Sequence, residues 1–134
     1  MQILEEEIER MALGDKAAFL TVCRRYCDIV YYFLRQEVGL KHFAERAAHE
    51  ILSCLWKDRG QLTNGGELEK YVTSLSIEYA LAGLRCICSR MAAKLAAIRD
   101  LEKGTDIINQ PPTGILDDDE FFNEVKRNIS SASK

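Results

Sequence analysis

The side chains that could do chemistry are few, and their spacing brings little together. Only two histidines occur, His42 and His49. On a helix they would stand about two turns apart, too far to share one ligand closely. Solvated positions on a helix face are the expectation for both. Cys23 and Cys27 stand at i and i+4, which sets both sulfurs on one side of a helix, and Cys86 and Cys88 lie further on. Each pair could be half a zinc site. Zinc sites, however, usually draw on Cys-x2-Cys spacing at turns, and small thiols are common core fillers. Ordinary packing is expected, with all five cysteines reduced. Redox sensing is a weaker reading, because Arg24 and Arg25 form the only adjacent cationic cluster. No glycine-rich phosphate loop, HExxH or GxSxG motif is present. No catalytic residue, metal site or cofactor is therefore expected, and the chain does not read as an enzyme.

The elements that must position these residues are helical, since apolar residues recur at intervals of three and four. The fold class expected is all-α: a compact bundle of four main helices and a short C-terminal helix. The first helix turns Leu4, Ile8 and Met11 inward, with Glu5, Glu6 and Glu7 in its first turns, where acids complement the helix dipole. The second opens at Asp15, a good N-cap after Gly14, and ends at Gly39. Its inward stripe reads Phe19, Val22, Cys23, Tyr26, Ile29, Val30, Phe33 and Leu34. The third runs from about His42 to Lys57, with Phe43, Ala47, Ile51, Cys54 and Leu55 on one face and Glu45, Arg46, His49 and Glu50 exposed on the other.

Residues 58–66 carry three glycines and an Asn-Gly pair, which is loop chemistry. A fourth helix begins near Glu67 with Leu68, Tyr71, Val72, Leu75 and Tyr79 inward. It either breaks near Cys88 or continues through the alanine-rich stretch from Met91 to Leu101. Gly104 and the pair Pro111-Pro112 end that run, so the division expected is a helical domain over 1–103 and a linker with a short acidic helix over 104–134. In the last helix, acids at 117–120 precede Phe121, Phe122, Val125 and Ile129, a stripe too apolar to leave in water. It should fold back on the domain. The acids would then lie near the basic end of the fourth helix as a brake on DNA binding, or simply complement their own helix dipole. Residues 130–134 read as a frayed tail.

A length of 134 residues suits one domain, and 47% hydrophobic residues suffice for a core, which excludes global disorder. A net charge of −3 removes a global electrostatic case for nucleic acid, so a local basic face would have to supply one. Arg85, Arg90 and Lys94 could form a modest patch of that kind, although cations near a helix end also suit its dipole. Apolar runs are broken by charge well short of a membrane span, and the start, Met1 to Glu7, lacks the cationic beginning of a secretory signal. A cytoplasmic location is expected.

The order of these signals resembles a known family. Gly14-Asp15 with Ala18-Phe19, then Arg25-Tyr26, Val30-Tyr31, Arg35 and Gly39, is similar to the opening of extracytoplasmic-function sigma factors. Residues 44–56, AERAAHEILSCLW, resemble the family's core-polymerase-binding helix, approximately A-E-D-L-x-Q-E-V-F-x-x-L-W. Leu68 to Val72 through Leu84-Arg85 is similar to the helix that faces the promoter minus-ten element. The resemblance covers residues 4 to about 90 and implies a sigma region 2 without region 4. It implies that Glu45, Arg46, His49 and Glu50 dock on the clamp of core RNA polymerase. It further implies that Arg59, Lys70, Tyr71, Arg85 and Arg90 address promoter DNA.

The chain departs from the family where Arg46 replaces an acid, His49 a glutamine, and Ile77-Glu78, Ala82 and Cys86 stand at positions of polar or basic residues. Losing cations weakens phosphate attraction, which dominates DNA affinity. Three functions follow from these features. The first is a sigma-like initiator that reads DNA, which requires Arg59, Lys70, Arg85 and Arg90 on one exposed face. The second is an interaction module that keeps the sigma shape to bind polymerase or an anti-sigma protein. The third is an unrelated helical adaptor.

Overall fold

Five α-helices and one 3-10 turn follow one another in the computed structural model, which describes residues 5–62, 64–102 and 119–132, without the side chains of 102 and 130–132. Helix α1 covers Glu5–Ala12, α2 Lys16–Val38, α3 Lys41–Lys57, α4 Gly65–Glu102 and α5 Asp119–Ala132, with the 3-10 turn at Arg59–Gln61. The fold is all-α; no strand occurs among the described residues, and no helix there is long and apolar enough to cross a membrane.

Local chemistry sets the ends of α2. The Asp15 carboxylate accepts from the amides of Ala17 and Ala18 at 3.0 and 3.3 Å, satisfying donors the first turn leaves open. At the other end Gly39 adopts φ +82° and donates its N–H to the Arg35 carbonyl, a left-handed stop that disfavours a side chain. Helix α4 starts two residues before the expected Glu67 because Asn64 and Glu67 cap each other. The Asn64 side-chain oxygen accepts from the Glu67 amide at 2.9 Å, and its NH2 donates to the Glu67 carboxylate. Glu5 adds an anion at the same terminus, accepting from Gly65 N–H at 3.1 Å and tying α1 to α4.

The core is one cluster. Ile8 and Met11 of α1, Val22, Val30 and Leu34 of α2, Phe43, Ala47, Ile51 and Leu55 of α3 and Leu68 of α4 are all buried within it. Helix α4 crosses closely at Gly83, where an added Cβ would come within 3.0 Å of the Phe43 ring, so the ring packs directly on the backbone of α4. Helix α4 does not break at Cys88 but runs on to Glu102. Residues 91–101 have mostly exposed side chains, so that stretch is helical without being packed on all sides.

Three expectations are corrected. Ile29, assigned to the inward stripe of α2, is 46% exposed, because the stripe drawn from the sequence was wider than the face α2 can bury. The tail read as frayed from Ser130 is helical in its backbone through Ala132. The stretch 58–62 is not wholly loop, since its 3-10 turn packs against α1 and α3. Leu4 and the linker expected over 104–114 lie outside the described residues. Helix α5 does fold back, and Phe121, Phe122 and Val125 join the same buried cluster as α1 to α4.

Candidate functional site

On α3, positions 45, 46, 49 and 50 share one flank by helical geometry, with Glu50 about 20° around the helix from buried Phe43 and Glu45 about 20° from buried Leu52. The four residues expected there are brought together: with Ser53 and Phe122 they line a shallow cavity of about 360 Å³. Arg46 and His49 are exposed, but the expected exposure of Glu45 and Glu50 is corrected to half-burial, because they border the buried face and Lys126 of α5 lies on Glu50.

One wall of this cavity is helix α5. Arg46 is ion-paired with Asp119 and holds its guanidinium 4.5 Å from the centre of the Phe122 ring. Lys126 pairs with Glu50 at 3.0 Å. Partly exposed ion pairs of this kind are worth at most about 1 kcal/mol each, whereas burying a phenylalanine contributes roughly 1.5–3 kcal/mol. The rings therefore hold α5 and the charges set its register. Phe121 meets Phe43 edge-on at 5.5 Å, and Phe122 stacks on Tyr79 at 6.4 Å. Asp119, Phe122 and Lys126 were not anticipated as part of this site. The amphipathic stripe of α5 announced that it would dock, but nothing local announced where. Asp119 lies at Arg46 and not at the basic end of α4, so the expected position of the acidic run is corrected for that residue; Asp117 and Asp118 lie outside the described residues.

A second polar cluster joins α4 to α5. Arg90 donates to Glu124 at 3.1 Å, with its guanidinium 5.3 Å from the Phe121 ring. The hydrogen bonds from Cys86 and Arg90 hold the Glu124 carboxyl below its ordinary range, and burial first, then Glu124, pushes the Cys86 thiol up to about 11.

The residues expected to meet DNA are not gathered on one face. Arg59 stacks on Trp56 at 4.1 Å and donates to its carbonyl oxygen at 2.7 Å. The hydroxyl of Tyr71 donates to Asp58 at 2.7 Å; burial, then that bond, raises its pKa. Lys70 and Arg85 are exposed and lie about 60° apart around α4 at 100° per residue, but Arg90 is turned about 140° from Arg85 toward α5. The expectation of one basic face is thereby corrected: the turn of the helix directs Arg90 to Glu124.

Cys23, Cys27 and His49 line a further groove of about 640 Å³ between α2 and α3. Among the described residues, however, no three His, Cys, Asp or Glu side chains form a group that could hold a metal ion. All five cysteines are unbridged. No protein-family model matches the chain, and neither curated proteins nor solved structures give a match.

Proposed function

We propose that this chain is a non-enzymatic, sigma region 2-like interaction module acting in the cytoplasm in transcription initiation. It binds core RNA polymerase through the outer flank of α3. The observation that carries the reading is the convergence of Glu45, Arg46, His49 and Glu50 around one accessible cavity, the place where the resemblance puts polymerase contacts. Arg46 and Glu50 are tied to Asp119 and Lys126 of α5, so a partner here exchanges those exposed ion pairs for its own, a contact that gives specificity more than raw affinity. Promoter reading is the lesser part of the proposal. Arg59, Tyr71 and Arg90 already serve intramolecular partners, and only Lys70 and Arg85 stand exposed. An anti-sigma protein is the alternative occupant of the same flank.

The test is capture of core polymerase by the purified full chain, followed by a single-stranded minus-ten probe at two salt concentrations. Polymerase binding that weakens about tenfold or more in His49→Ala, an exposed position whose loss should leave the melting temperature unchanged, supports the reading. No capture by the wild-type chain would refute it. Salt-sensitive binding of the probe, lost in Lys70→Ala and Arg85→Ala together, would restore the DNA-reading function instead.

A further inference from the structure

Helix α4 buries one face in the bundle and carries a second apolar row on the other. Ile77, Leu81, Leu84, Cys88, Met91, Leu95 and Ile98 follow one another at spacings of four and three, the a and d positions of successive heptads. All are exposed, the large side chains by 37% to 62%. Isolated surface apolar residues are ordinary, but an unbroken row about 33 Å long at 1.5 Å per residue is not. The row also continues past its first member, since Ile77 shares the wall of a cavity with Ile29 and Phe33 of α2.

We propose that this row is the seam of a homodimer in which α4 pairs with α4 of a second copy, antiparallel. Charge decides the occupant and its direction. In the antiparallel register that sets Leu84 opposite Leu95 of the second copy, Leu81 meets Ile98 and Cys88 meets Met91. Every layer occurs twice by symmetry. The flanking positions then place Glu78 beside Arg99 of the second copy at both ends, and Arg85 beside Ala92. Run in parallel, the same seam places Lys94 beside Arg99 of the second copy twice and leaves Glu78 beside Thr73. The antiparallel form has two attractions, where the parallel form has two repulsions. It also accounts for residues 91–101, helical yet little covered by their own chain: each such end lies along the solvent face of the other copy's bundle.

The experiment is sedimentation equilibrium on the full chain over a hundredfold concentration range reaching the high micromolar. A reversible dimer is expected. Leu95→Glu should weaken it by roughly a hundredfold or more, since two apolar side chains per dimer are lost from the seam. At dilutions where both are monomeric, its melting temperature should equal that of wild type. Glu78→Arg and Arg99→Glu should each weaken the dimer by up to about tenfold, and the two combined should restore it. A chain that stays monomeric throughout overturns the proposal. So does a Leu95→Glu chain that melts earlier than wild type at dilutions where both are monomeric, which would mean that residues of its own chain cover the row. Tightening by Arg99→Glu alone would also overturn it, since only the parallel form gains from that change. None of these readings depends on polymerase.

Discussion

Truncating Phe121 to alanine removes a ring that is 0% exposed, set edge-on against Phe43 at 5.5 Å and faced by the Arg90 guanidinium at 5.3 Å. Deleting a buried phenylalanine costs about 3–5 kcal/mol, a range that already includes the ring-ring contact. The loss should fall on the docking of α5 and not on the whole chain, because among the described residues α5 meets only α3 and α4, and a 14-residue helix is marginal when alone. Such a loss corresponds to a rise of between about a hundredfold and a few thousandfold in the open fraction of α5. Native-state hydrogen exchange should therefore show the α5 amides losing protection by that factor, while the centres of α2 and α3 keep theirs. Asp119→Asn, which removes only an exposed charge from the same helix, should shift α5 by less than about tenfold. Opening of α5 by Asp119→Asn as far as by Phe121→Ala would refute a docking held by packing. So would a loss of protection in all helices together.

Glu124 carries a pH prediction. Its folded pKa lies below the ordinary 4.5, so its pairing contributes stability in full above that value and loses it as the pH falls through the lower folded pKa. The melting-temperature advantage of wild type over Glu124→Gln should thus be present at neutral pH and vanish in acid; a constant difference would contradict the assignment. At the end of α2, Gly39→Ala should cost about 1–2 kcal/mol and Gly39→Asn less, because φ +82° is strained for a side chain and least so for asparagine; chemical denaturation would read both. Among the thiols of the monomeric Leu95→Glu chain, exposed Cys88 should react with an aromatic disulfide reagent well before buried Cys86, whose pKa is pushed up to about 11, and similar rates for the two would refute the described burial.

What could be read in the sequence was what local chemistry decides. Asp15 and Gly39 bound α2 through bonds to their own neighbours, and the flank of α3 follows from spacing alone. The two faces of α4 show why other features were hidden. Its apolar residues point both into the core and away from it, so the period that marks one amphipathic face is blurred, and the outer heptad row reads as more core. Ile29 failed for a related reason, as it extends an apolar stripe beyond the part that neighbours cover. The site on α3 was half legible. Its four residues were found, but Asp119 and Lys126 reach it from another helix, and no local rule pairs Arg46 with a residue 73 positions away. A separation of 34 residues likewise concealed the fate of Arg90, which looked like part of a basic patch and is spent on Glu124.

That separation of 73 residues also has a meaning in time. A ribosome adds about 5–20 residues each second, so Asp119 is made about 4 to 15 s after Arg46. Helix α3 and the start of α4 can collapse within far less than that. Until Phe121 and Phe122 are made, the ring of Phe43 lacks its neighbour from α5, as does Tyr79 for the roughly 2 to 9 s that follow its own synthesis. The newborn chain thus passes through a stage with its α3 flank fully open, when a chaperone or an early partner meets no competitor for the seat of α5.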